Sequence, residues 1–179
     1  MKRAKTGKVA LCGLIAALAS VILLLSYSSY LLYTVPALAG LLMAVADREC
    51  GRKYAIITLL ITALLCLVTL GGLILPRVLF IGFFGYYPLV KTSVERWPRP
   101  LAWMVKIAVF NVAAILCFVF LVYVLSLPAA IQAIGVWGPY SMLLLAVAGN
   151  VAFPIFDVLV TLLLKEYMQR IHPHVRRMK

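Results

Sequence analysis

Apolar residues fall into six long blocks separated by short polar or glycine-containing breaks. A helix that crosses the ~30 Å hydrocarbon core of a bilayer needs roughly 17–25 mostly apolar residues. The blocks meet that length and predict six transmembrane helices, at Val9–Leu25, Tyr30–Ala46, Tyr54–Leu70, Leu73–Val90, Leu101–Leu125 and Tyr140–Leu164. The first and third breaks are only "SYSS" at Ser26–Ser29 and "GG" at Gly71–Gly72, which predicts tight hairpins between helices one and two and between three and four. The expected fold class is all-α: a polytopic membrane protein with six helices in one bundle.

Composition agrees with the pattern. Of 179 residues 65% are apolar, the mean hydropathy is +1.10, and only five side chains are acidic. A soluble globule of this size could not cover itself with so few polar groups, so an ordinary soluble enzyme and a disordered chain are both excluded. One domain covering residues 1–179 is expected. The amino end, basic "MKRAKTGK" with an "ALA" at Ala37–Ala39, looks superficially like a signal peptide. Its apolar stretch is far longer than a secretory core and more spans follow, so an uncleaved first helix is expected.

The net charge of +12 does not point to nucleic acid, because the basic residues form short blocks between apolar runs. Four lie at the amino end (Lys2, Arg3, Lys5, Lys8), three in the second loop (Arg48, Arg52, Lys53), three in the fourth (Lys91, Arg96, Arg99) and five in the tail (Lys165, Arg170, Arg176, Arg177, Lys179). The alternate loops carry none. Basic residues are retained on the cytoplasmic side, so both termini are expected there, in a bacterial cytoplasmic membrane. Arg77 and Lys106 are the two exceptions.

Ionisable groups inside hydrocarbon cost about 2.5–3.5 kcal/mol each on insertion scales and need a partner or a purpose. Lys106 lies five residues into the fifth span and Asp157 seven residues from the end of the sixth, so their depths differ by only about 3 Å at 1.5 Å per residue. Adjacent antiparallel helices would pair them. The pair reads either as a structural lock or as a proton or cation site, and snorkelling of Lys106 to the headgroups with Asp157 satisfied by Asn111 or a hydroxyl is a further option. Asn111 reads as interhelical glue; Asn150 reads equally as glue or as a ligand contact. Arg77, at the outer end of the fourth span, either reaches outer headgroups or clamps an anionic substrate with its planar fork of donors.

The segment "LFIGFFGYYPLVK" combines close packing at Gly82 and Gly85, a proline in its last turn, and Tyr86, Tyr87 and Lys91 as interfacial anchors. Trp97, Trp103 and Tyr167 mark the same interface, while Tyr27, Tyr30, Trp137 and Tyr140 form an outer belt. Enzyme signatures are absent: no histidine lies within a span to activate Ser26, Ser28 or Ser29, His172 and His174 fall in the basic tail, and no paired carboxylates, phosphate loop or HExxH occurs. Cys12, Cys50, Cys66 and Cys117 contain no CxxC pair, and they read as small apolar fillers rather than metal ligands or a disulfide framework. No cofactor is expected.

The first span, "KVALCGLIAALASVILLLS", is followed by "YTVPALAGLLMAVADRECGRKYAI", a proline-containing span that turns at Gly51, and later by "FFGYYPLVK", "KIAVFN" and "GNVAFPIFD". With six spans in about 180 residues, this resembles the substrate-binding S components of energy-coupling factor (ECF) transporters, or a bacterial branch similar to them. The resemblance lies in layout and short motifs over nearly the whole chain. It implies capture of a small solute, such as a vitamin or precursor, on the outer side, docking on a membrane-embedded T component with two ATPases, and toppling to release cargo. The family docks through an alanine-x-x-x-alanine face of the first helix; here the small pairs are Gly13 with Ala17 and Ala16 with Ser20, a looser match that can also pack inside the bundle. Outer-half binding positions carried by the resemblance are Tyr30, Arg77, Trp137, Tyr140 and Asn150. The alternative is a structural or regulatory membrane protein without transport, and a solitary cation-coupled carrier is disfavoured by the lack of an inverted repeat.

Overall fold

The computed structural model of the chain describes residues 2–28, 31–125 and 140–170. Among these residues every regular element is helical: α1 (Lys2–Leu24), α2 (Thr34–Cys50), α3 (Arg52–Thr69), α4 (Ile74–Leu79), α5 (Tyr87–Val94), α6 (Arg99–Val119) and α7 (Ser141–Arg170). Wide π turns at Phe80–Phe84 and Phe120–Val124 extend α4 and α6, each closed by an i to i+5 bond, Gly85 N–H to Phe80 O at 2.7 Å and Leu125 N–H to Phe120 O at 3.0 Å. Among the described residues five stretches are long and apolar enough to cross a membrane: Thr6–Tyr27, Arg52–Thr69, Ile74–Val94, Arg99–Tyr123 and Leu143–Gln169. These are the helices of a multi-pass membrane protein.

The second block departs from its expected limits. It forms a helix over Thr34–Cys50, 17 residues, so it is shorter than the other five and carries Asp47, Arg48 and Glu49 in its last turns. The polar residues stay helical because the stop signal is Gly51, whose φ of 94° is open to glycine at little cost. Lys8 Nζ donates to the Cys50 carbonyl at 3.3 Å, placing positive charge at the negative end of α2.

The chain divides into two compact units, residues 1–93 with 160–179, and residues 94–159. In the first unit α1, α2 and α3 pack on one another around Ile15, Ala19, Leu23, Val35, Ala39, Met43, Ala46, Ala55, Cys66 and Leu70. α3 has an inverted pattern: its buried face is the small-residue line Ala55, Thr58, Thr62 and Cys66, while Ile57, Leu60, Leu64 and Val68 are exposed. Large side chains outward and small ones inward is the arrangement of helices solvated by lipid, where close backbone approach and dispersion drive association. The two threonine hydroxyls are satisfied within the helix, each donating to the carbonyl four residues back at 2.9 Å.

Backbone approach is closest at Gly40, where a Cβ would fall on the Phe84 carbonyl oxygen. Gly85 is less constrained: a Cβ there would meet the movable Leu59 Cδ1 at 2.8 Å and the Phe80 carbonyl oxygen at 2.9 Å. Pro88 lies in the first turn of α5, where a missing amide donor costs little, and not in the last turn of a continuous helix as its sequence context suggests. Tyr87 and Lys91 are buried, at 0% and 1% exposure, so they are core residues and not the interfacial anchors expected. The Tyr87 ring lies 4.8 Å from that of Phe83.

In the second unit α6 and the first part of α7 run against each other. Phe110 and Phe153 stack with centroids 4.7 Å apart and planes 19° from parallel, and Gly149 admits the edge of Phe110.

Candidate functional site

The α6–α7 seam carries a ladder of polar contacts whose register is set by helical spacing. Lys106, Phe110 and Asn111 recur at four and five residues on α6, and Asp157, Phe153 and Asn150 descend in the same order on α7. Positions four apart share a helix face, so one antiparallel pairing brings all three levels together.

At the first level Lys106 Nζ lies 3.0 Å from Asp157 Oδ2, with both residues buried. The same ammonium lies 3.2 Å from Glu95 Oε1, a half-exposed carboxylate in the segment between α5 and α6, and 5.3 Å from the centre of the Trp103 ring. Lys106 therefore links a buried anion to one at the boundary of the span. Sequence reasoning found Lys106 and Asp157 through their matched depths; it missed Glu95, which lies outside every apolar block and has no periodic signal. The spacing from Glu95 to Lys106, across the short "RWPRP" break, was the available hint.

At the third level the side-chain amides of Asn111 and Asn150 are reciprocal partners. Each Nδ2 donates to the other's Oδ1 at 2.9 Å, and each also donates at 2.9 Å to a carbonyl of its own helix, Ile107 O and Ala146 O. Both donors of both amides are in use, which is the geometry of glue between helices. Pro154, inside α7, has no N–H to offer the main-chain carbonyl of Asn150 four residues before it.

Arg77 is partly buried; its Nε donates to Leu73 O at 3.1 Å and its Nη2 to Gly71 O at 2.7 Å, so the guanidinium ties the turn between α3 and α4. Nearby, the Tyr27 hydroxyl donates to Thr69 O at 3.3 Å, another carbonyl at the end of α3. Tyr140 immediately precedes α7 and is 71% exposed. Arg77 belongs to the first unit, and Tyr140 and Asn150 to the second. Tyr30 and Trp137 lie outside the described residues.

The two small pairs of α1 divide. Ala16 and Ser20 are buried, and the Ser20 hydroxyl donates to Ala16 O at 2.8 Å. Gly13 and Ala17 are on the exposed side, beside exposed Leu14, Leu18 and Val21, and a Cβ at Gly13 would meet nothing within 4 Å. One lane of small residues thus packs within the unit and the other faces outward.

No protein-family model, curated protein or solved structure matches this chain.

Proposed function

We propose that the chain is the substrate-binding membrane subunit of an ECF-type transporter, taking up a small solute such as a vitamin or precursor. In this reading six helices cross the cytoplasmic membrane with both termini inside, a T component docks on α1, and two ATPases supply the energy. The observation that carries the proposal is the outward lane of α1. Gly13 and Ala17 are four residues apart on an exposed face, and this spacing lets a neighbouring helix approach closely. In the sequence, 15 of the 17 basic residues fall at the two chain ends or at alternate breaks between the apolar blocks, which favours the orientation.

A second reading has specific support. Arg77 is occupied by two main-chain carbonyls and Asn150 by Asn111, so two of the expected ligand contacts already have structural work. That favours a structural or regulatory membrane protein whose polar groups lock helices. Affinity purification of the tagged chain from native membranes in mild detergent, with mass spectrometry of the proteins recovered, separates the two. A T component and two ATPases in near-stoichiometric amounts are expected for the transporter subunit. A folded chain recovered without them favours the second reading.

A further inference from the structure

The acidic side chains of the first unit are Asp47, Glu49 and Glu166, and all three lie at one end of it. Asp47 pairs with Arg52 at the start of α3, and Tyr167, beside Glu166 on α7, donates to Glu49 in the last turn of α2. Arg77 stands by the other end of α3, where it holds the turn at Gly71. The 18 residues of α3 separate those ends by about 27 Å at 1.5 Å per residue, beyond the ~10 Å over which charges in dilute salt act on one another. Arg77 is thus a partly buried cation within a span, and no carboxylate meets it among the described residues. A charge so placed calls for a partner.

The two bonds that Arg77 makes fall on a single edge of its guanidinium. Nε and Nη2 point the same way there, to Leu73 O at 3.1 Å and Gly71 O at 2.7 Å. A guanidinium has five N–H groups, so the remaining ones, both on Nη1 and the second on Nη2, have no acceptor among the described residues. Nη1 and Nη2 together form the adjoining edge, with two parallel donors. Carbonyls carry no net charge, so they fix the group in place without neutralising it. Arg52 is the contrast: its donors reach Thr92, Ser93, the Leu89 carbonyl and the carboxylate of Asp47, which cancels its charge. A held fork with a free edge is matched by the two oxygens of one carboxylate or phosphate, and holding it in advance lowers the entropy cost of binding.

We propose that the free edge of Arg77 binds one oxyanion, a carboxylate or a phosphate, at the turn between α3 and α4. Such a site does not depend on a T component or ATPases, so a chain purified without them would still carry it. It is tested on the full chain in an uncharged detergent by phenylglyoxal modification of arginines, located by mass spectrometry, with acetate, inorganic phosphate or phosphatidylglycerol set against chloride at equal ionic strength and pH. With the anion at about four times its Kd, Arg77 is expected to react about fivefold more slowly, while exposed Arg48, Arg96 and Arg99 react as before. Protection by acetate or inorganic phosphate identifies the oxyanion of a dissolved solute; protection by phosphatidylglycerol alone identifies a lipid headgroup. Whichever anion protects is also expected to raise the melting temperature of the unaltered chain and not that of Arg77→Gln, whatever the starting value of the variant. The site is overturned if none of the three anions protects Arg77, if the exposed arginines are protected equally, or if the rise in melting temperature survives in Arg77→Gln.

Discussion

Lys106 and Asp157 meet at 3.0 Å with both side chains withdrawn from solvent, 51 residues apart in sequence. Removing one member of such a pair strands the other charge, at a cost of about 3–5 kcal/mol, whereas replacing both by apolar groups of similar size is often neutral. Asp157→Asn and Lys106→Met are each expected to lower the melting temperature in detergent sharply, and Lys106→Met combined with Asp157→Leu to recover most of the loss. A double variant as unstable as the singles would show that the charges do more than lock the two helices.

Glu95 is the exposed arm of the same cluster, and partly solvated ion pairs contribute about 0–1 kcal/mol. Glu95→Gln is therefore expected to change stability far less than Asp157→Asn. Thermal melts of the two variants side by side check the ranking.

The amides of Asn111 and Asn150 use all their donors on each other and on their own helices. Interhelical bonds of this type average about 0.6 kcal/mol and reach about 1.7 kcal/mol. Asn150→Leu is expected to cost an amount in that range, and Asn111→Leu with Asn150→Leu to cost no more than the single change. A ligand role would instead leave the fold intact and remove solute binding in Asn150→Leu, measured by tryptophan quenching once a solute is in hand.

Arg77 bridges two carbonyls with one planar group, which a lysine cannot reproduce. Arg77→Ala and Arg77→Lys are both expected to destabilise the α3–α4 turn, by about 1–3 kcal/mol for the alanine. Loss of solute binding in Arg77→Ala with an unchanged melting temperature would restore the anion clamp as its main role.

Two glycines give opposite expectations. A Cβ at Gly40 would fall on the Phe84 carbonyl, so Gly40→Ala is expected to reduce recovery of folded protein. Gly13 faces open space, and Gly13→Leu is expected to leave folding unchanged while weakening capture of any helix that docks on α1. Size-exclusion profiles and the composition of purified assemblies read both outcomes.

The apolar blocks were legible because helix length against hydrocarbon thickness is a strong constraint, and the Lys106–Asp157 pair because burying charge leaves few options. Glu95 was not legible, since a loop carboxylate has no depth to match. Tyr87 and Lys91 were misread for a related reason: a tyrosine and a lysine at a span end usually mark an interface, and only the path of the preceding backbone turns them inward. The division of the small pairs on α1 was equally hidden, because two lanes one residue apart in sequence are indistinguishable until neighbouring helices choose one.

The π turn at Phe80–Phe84 bears on how this span tolerates change. Each residue of an α-helix advances the face by about 100°, so one extra residue in a wide turn redirects everything after it. A chain shortened by one position there would still be long enough to cross the bilayer, yet it would carry Tyr87 and Lys91 round toward lipid. Insertions and deletions in this stretch thus act as a rotary selector: they leave the span's reach intact and reassign which side chains are wired into the interior.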